Sequence, residues 1–217
     1  MEVRKVFGLG LSRTGTTSLH AAAVLLGFSA IHYPLRLSPK WMAGDFSPAA
    51  IGPFQFYTDL PIPAYYREFD RACPNSRFVL TVRDAEEWAE SVARWYAEMP
   101  PSSPRTVQRD VIRLISYGVH NFHRQRFLDI YRRHGDDVLD YFRDRPRDLL
   151  VLDLAAETDP WMPLCRFLDR PVPERDFPHL RTPAIGNLQF VLPQERNEKQ
   201  RRMIRLVNES HRNRTAR

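Results

Sequence analysis

A chain of 217 residues, 43% hydrophobic and 27% charged, has a globular composition, which excludes a disordered or fibrous protein. No apolar run is long enough to cross a bilayer, and the first residues lead into a strand-like segment with no room for a signal peptide, so a cytoplasmic protein without a membrane partner is expected. The formal charge of +6 gathers at one end: residues 195–217 hold eight Lys/Arg against three Asp/Glu. That stretch reads as a solvated, partly helical basic tail behind a single domain spanning 1–194. No nucleic-acid-binding signature accompanies it.

Residues 5–9 predict the first strand. Residues 16–26 follow as a helix, with Leu19, Ala22, Ala23 and Leu26 at helical spacing and Gly27 as its stop. Residues 28–32 predict a short second strand. The stretch 33–54 holds four prolines and four glycine or serine residues and reads as a long irregular loop, a type that often carries function. Residues 55–58 predict a further strand ending at Asp59, and 61–73 a helix with proline near its start.

Residues 77–82, Arg-Phe-Val-Leu-Thr-Val, form the clearest buried strand. Asp84 and Glu87 supply a capping box for a helix that runs to about residue 99, where Pro-Pro-Ser-Ser-Pro ends it. Residues 107–134 predict a long helical segment broken at Gly118, with 138–142 continuing the pattern. Residues 149–154 predict the last strand and 161–168 a short helix. Strands alternating with helices predict an α/β protein of P-loop-type three-layer architecture, a central parallel sheet flanked by helices. Cys73 and Cys165 lack metal-ligand spacing and read as reduced packing residues.

Between the first strand and helix, Gly10 and Gly15 stand five apart with Thr16 and Thr17 behind them, the spacing of a phosphate-cradling loop. The position where such a loop carries the lysine for a triphosphate is Thr16. The only three lysines of the chain, Lys5, Lys40 and Lys199, lie elsewhere. Backbone N–H groups and a helix N-terminus still favour an anion there, and Arg13 is the nearest cation. A phosphate-like group other than a triphosphate tail is the expected ligand.

Ligands of open α/β sheets bind beyond the carboxyl ends of the strands, and three segments fall at such ends: the loop 12–17, Asp59, and Arg83 with its following helix. Ser91 lies eight residues after Arg83, about two helical turns on, so a guanidinium and a hydroxyl can meet one anion. The plainer alternative pairs Arg83 with Asp84 or Glu87 and leaves Ser91 on a solvated face. Asp59 likewise reads either as a reactive carboxylate or as the cap of the helix starting near Pro61.

Ser12-Arg-Thr-Gly-Thr-Thr-Ser18 resembles the 5′-phosphosulfate loop of sulfotransferases that use 3′-phosphoadenosine 5′-phosphosulfate (PAPS). Val82-Arg-Asp, with Ser91 eight residues after Arg83, resembles their 3′-phosphate motif. Tyr57-Thr-Asp-Leu-Pro61 is similar to the segment in which cytosolic members carry a catalytic histidine, here Asp59. The similarity runs from about residue 5 to 170 and is nearest to a group of short bacterial-type sulfotransferase-like proteins. It departs from the family where Arg13 replaces a common lysine and where no clear glycine-rich 3′-phosphate segment follows near Arg181 and Gly186.

The resemblance implies PAPS as co-substrate, no metal, and a small-molecule acceptor bearing a hydroxyl or amine. It implies that Ser12, Arg13, Thr14, Gly15, Thr16, Thr17 and Ser18 hold the 5′ end, that Arg83 and Ser91 hold the 3′-phosphate, that Asp59 is the general base, and that Arg13 stabilises the leaving group. Trp41, Phe46, Phe54 and Trp95 are acceptor-lining or core residues. His120 and His123 suit packing or surface roles better than metal ligation. A P-loop small-molecule or nucleoside kinase is the rival enzyme, disfavoured by the missing lysine. A nucleotide-binding module without catalysis is the rival from another class. No feature sets the acceptor or an oligomeric state.

Overall fold

Five strands carry the sheet of the computed structural model, which describes residues 5–98 and 107–180: β1 (Val6–Gly8), β2 (Ala30–His32), β3 (Phe56–Thr58), β4 (Arg77–Val82) and β5 (Leu149–Asp153). Their order is β2-β3-β1-β4-β5 and every pairing is parallel, as an α/β protein of P-loop type requires. In register, Val6 lies between Phe56 of β3 and Arg77 of β4. The chain builds outward from β1 to β3 and β2 on one side, then to β4 and β5 on the other. Its switch point is thus the crevice beyond the end of β1, where the glycine-spaced loop sits.

Successive side chains of a strand point to opposite faces, and the core divides accordingly. Val6, Phe56, Val79 and Leu152 pack under α1 (Thr16–Leu25) and α8 (Trp161–Leu168), through Leu19, Ala22, Ala23, Trp161 and Leu164. Phe7, Tyr57, Phe78 and Leu80 face the other way. They meet Trp41, Phe69, Val138 and Phe142 from α2 (Ser38–Met42), α4 (Tyr66–Ala72) and α7 (Arg124–Tyr141) with its flank. A third cluster closes the carboxyl end of the sheet: Leu11, Leu60, Trp88, Val92, Ile112 and Phe127, from the loops, α5 (Ala85–Ala97), α6 (Val107–Tyr117) and α7. This third cluster forms the floor of the site.

Two elements differ from the sequence expectation, and a third agrees with it. The stretch 33–54 contains α2 and a second short helix, α3 (Pro48–Ile51), capped by Ser47, whose hydroxyl accepts the Ala50 N–H. Residues 61–73 open with a 3-10 turn, Ile62–Tyr65, before α4 begins at Tyr66. The break at Gly118 is real: its φ of 64° ends α6, its N–H bonding back to Leu114 O at 2.7 Å. Beyond it α7 runs unbroken from Arg124 to Tyr141, joining the two helical stretches read from the sequence.

Candidate functional site

The loop after β1 is held open by contacts that point away from its concave side. Thr14 Oγ1 donates to Leu11 O at 2.8 Å and lies 2.7 Å from Thr81 Oγ1 of β4. Gly10 is needed because β4 passes so close: a Cβ there would lie 1.8 Å from Thr81 Oγ1 and 2.8 Å from Thr81 O. Gly15 caps α1 with φ 94°, a conformation that a side chain would strain. Because the cap has no side chain, the first-turn N–H groups at Thr16, Thr17 and Ser18, which have no intrahelical acceptor, stay available to an anion. The Ser18 hydroxyl is buried and accepts the Leu180 N–H at 3.0 Å, so its side chain braces the helix rather than facing the loop.

Asp59 ends β3 and is buried, with φ 70°. Its side chain turns toward the loop: Ser12 Oγ donates to Oδ1 at 2.6 Å, and Oδ2 lies 3.3 Å from His32 Nε2. Only its backbone carbonyl serves the following turn, accepting from Ile62 N. Arg13 and Tyr33, on the loops leaving β1 and β2, also have positive φ, 78° and 51°. Left-handed non-glycine residues are costly and persist where the surroundings hold them. Here they stand at the ends of three adjacent strands. The phenol of Tyr33 is pushed up to about 12, first by burial and then by the charge of Asp59.

The second motif approaches from β4 and α5. Asp84 caps α5 by accepting from Glu86 N and Glu87 N. From this helix two side chains cross to the loop: Trp88 Nε1 donates to Ser12 O at 3.0 Å, and Ser91 Oγ accepts from Arg13 Nε at 3.2 Å. Arg83 pairs with Glu87 at 2.9 Å, yet its buried Nε–H meets no acceptor among the described residues. Arg13 and Arg83 face each other closely enough to matter. Burial first, and then the positive charge of Arg83, lower Arg13 below the ordinary arginine range. Two like charges around an open donor set favour an anion between them.

Two residues outside the motif segments complete this wall. The Tyr131 hydroxyl accepts Arg83 N at 2.9 Å and donates to Arg83 O at 2.7 Å, fixing the backbone of the motif, while its ring stacks on Trp88 at 4.4 Å. Tyr117, buried and stacked on Phe127, directs its hydroxyl to Ser12. Burial pushes its phenol far above the usual range, so it stays protonated. Strand-end position is a sequence signal that marks His32 as clearly as Asp59. Tyr131 and Tyr117 carry no such signal.

The aromatic candidates divide. Trp41 and Phe54 are buried in the core beneath the sheet, with Trp41 Nε1 donating to Ala50 O. Phe46 packs on the same cluster, and Trp95 stacks edge-on to Tyr96 under Arg113. Cys73 and Cys165 are free thiols. Among the described residues no group of three His, Cys, Asp or Glu is placed to share a metal ion, and no helix is long and apolar enough to cross a membrane.

Comparison with known proteins agrees with this architecture. The family model described as a sulfotransferase domain matches residues 5–184, which contain both motifs and Asp59. The "Ava biosynthesis cluster protein M" of Aspergillus versicolor is 28% identical over 220 residues, covering 85% of this chain and 83% of that protein. A parallel sheet with a glycine-spaced loop at its switch point, matched over most of the chain by one family, leaves a single assignment: the chain belongs to the sulfotransferase domain family.

Proposed function

We propose that the protein moves a sulfuryl group from PAPS to a hydroxyl or amine of a small organic acceptor, by in-line displacement with Asp59 as general base. The observation that carries this reading is the contact between Arg13 and Ser91, 3.2 Å across 78 residues of sequence. It joins the loop suited to a 5′-phosphate to the helix suited to a 3′-phosphate. The residues present fit a nucleoside carrying both: the uncapped first turn of α1 at one end, and the unpartnered Arg83 Nε–H with the Ser91 hydroxyl at the other. The absence of a lysine in the loop and the second phosphate site disfavour a nucleoside triphosphate. The cluster-encoded relative supports a metabolite as acceptor.

PAPS supplies an activated sulfuryl group whose leaving group keeps the 5′-phosphate. The loop N–H groups and the α1 dipole hold that phosphate. Arg13 opposes the negative charge that grows on the bridging oxygen, a form of stabilisation worth about 3–4 kcal/mol where it has been removed from other enzymes. Asp59, buried beside the loop, accepts the proton from the acceptor as the new bond to sulfur forms. Arg83 and Ser91 fix the nucleotide and so the line of displacement.

The test is transfer of label from [35S]PAPS to a panel of phenols, alcohols, amines and sugars, with Asp59→Asn alongside. Labelled product with the wild type and a loss of about 10²-fold or more in the variant are expected. Equal transfer by both proteins removes Asp59 from the reaction, and no transfer to any acceptor class leaves a binding module.

A further inference from the structure

His32 ends β2 next to Asp59, and no motif includes it. Its ring is engaged at both nitrogens: Nδ1 lies 2.9 Å from Thr58 Oγ1, and Nε2 lies 3.3 Å from Asp59 Oδ2 and 3.5 Å from Thr17 Oγ1. A carboxylate only accepts, so the nitrogen facing it must carry the proton. Nε2 is therefore the N–H, Nδ1 holds a lone pair, and the Thr58 hydroxyl donates into it. The other oxygen of Asp59 accepts from Ser12. One carboxylate oxygen thus takes a hydrogen bond from the loop after β1, and the other lies against the ring at the end of β2.

The same ring reaches Thr17 in the first turn of α1, where the 5′-phosphate would sit. We infer that His32, in its neutral Nε2–H form, is a positioning residue that fixes the Asp59 carboxylate and ties it to the phosphate-binding turn through Thr17. The inference rests on the sulfotransfer reading above and assigns His32 no proton transfer of its own. The acceptor gives its proton to Asp59, its oxygen or nitrogen bonds to sulfur as the bond from sulfur to the leaving oxygen breaks, and His32 keeps one proton throughout. With both ring nitrogens engaged by the protein, His32 has none left for the acceptor.

Acid would weaken the base while leaving the contacts in place. The titratable groups packed on the ring are Asp59 from β3 and His20 from α1, whose ring centroid is 5.5 Å away. Burial lowers His32 below the ordinary histidine range, and the charge of Asp59 opposes that shift. The neutral form therefore prevails at neutral pH. Protonation would turn Nδ1 into a second donor toward Thr58, whose hydroxyl would give its own proton to Ile31 O, 3.4 Å away. It would also place a cation against the base. Activity is expected above the depressed His32 pKa and is lost as pH falls through it.

The experiment compares His32→Ala and His32→Gln with the wild type in turnover against pH, in melting temperature, and in affinity for adenosine 3′,5′-bisphosphate. His32→Ala should lower kcat by up to about 10²-fold and lower the melting temperature, while the nucleotide affinity of the folded variant stays near wild type. His32→Gln, whose amide can donate where Nε2–H did, should recover most of that loss and no longer show the acid limb set by His32. Full activity in His32→Ala overturns the inference, as does a folded His32→Gln no better than alanine. A second readout needs no turnover: imidazole 15N spectra should show the Nε2–H tautomer, and Asp59→Asn should lower the His32 pKa further by removing the opposing charge. An Nδ1–H tautomer or an unmoved pKa rejects the inference even if sulfotransfer holds, while a wild type without transfer rejects the functional reading and leaves these spectra to decide the contact.

Discussion

At one end of the candidate site Asp59 and His32 are 13% and 12% exposed and already hydrogen-bonded to the loop and to Thr58; at the other, Arg83 and Glu87 are 25% and 60% exposed and paired with each other. On the proposed reading the first end is hydrogen-bonded before any ligand arrives, so little reorganisation is needed there when charge moves. The second is a surface ion pair, of a kind worth only about 0.3–0.5 kcal/mol, which a phosphate can displace cheaply. The proposed function places chemistry at the buried end and nucleotide binding at the more exposed one. Variants should separate them.

The largest effect is expected at the buried end. Asp59→Asn should slow transfer by about 10²–10⁴-fold, with the affinity for adenosine 3′,5′-bisphosphate nearly unchanged, as read by initial rates and calorimetry on the same preparations. Arg13→Ala should cost about 10²–10³-fold in kcat, and Arg13→Lys should restore part of it by returning the charge without the fork geometry. Arg83→Ala should instead weaken bisphosphate binding, by about 1.5–3 kcal/mol for the charge-assisted bonds lost, with a smaller change in kcat at saturation. Gly10→Ala tests the loop between the two ends. Its Cβ would meet Thr81 Oγ1 at 1.8 Å, so thermal unfolding should report a destabilisation of about 1–3 kcal/mol. Glu87→Gln should give the smallest effect, a rise of about 2-fold in bisphosphate affinity as the internal competitor is removed.

What was legible in the sequence was local. The loop 12–18 lies along one strand-to-helix turn and Arg83 and Ser91 along the start of one helix, so their spacing is readable, while the Arg13–Ser91 contact crosses elements and is not. The parallel sheet follows from alternating elements, and the break at Gly118 from the residue that tolerates positive φ. The two readings of Asp59 differ in where its side chain points, which depends on strand order; the side chain meets Ser12 and His32, and the backbone carbonyl alone engages the next turn. For Arg83 both sequence readings leave a trace: the Glu87 pairing is present, and Nε stays open.

His32, Tyr117 and Tyr131 were not legible as site residues for a related reason. Their partners lie across strands or on distant helices, 48 residues away in the case of Tyr131 and Arg83. His32 carries one clue, since it closes a strand at the same carboxyl end of the sheet as Asp59, and Tyr131 another, since with His134 it resembles a recurrent helix pattern of the sulfotransferases.

Calorimetric titration with adenosine 3′,5′-bisphosphate, beside ATP with Mg²⁺, on the wild type and Arg83→Ala tests the central claim most directly. Tight bisphosphate binding that Arg83→Ala weakens by about 10-fold or more is expected, with little affinity for the triphosphate. Binding of ATP with Mg²⁺ but not of the bisphosphate would contradict that claim and make the loop a kinase site; binding of neither would leave the candidate site without a nucleotide.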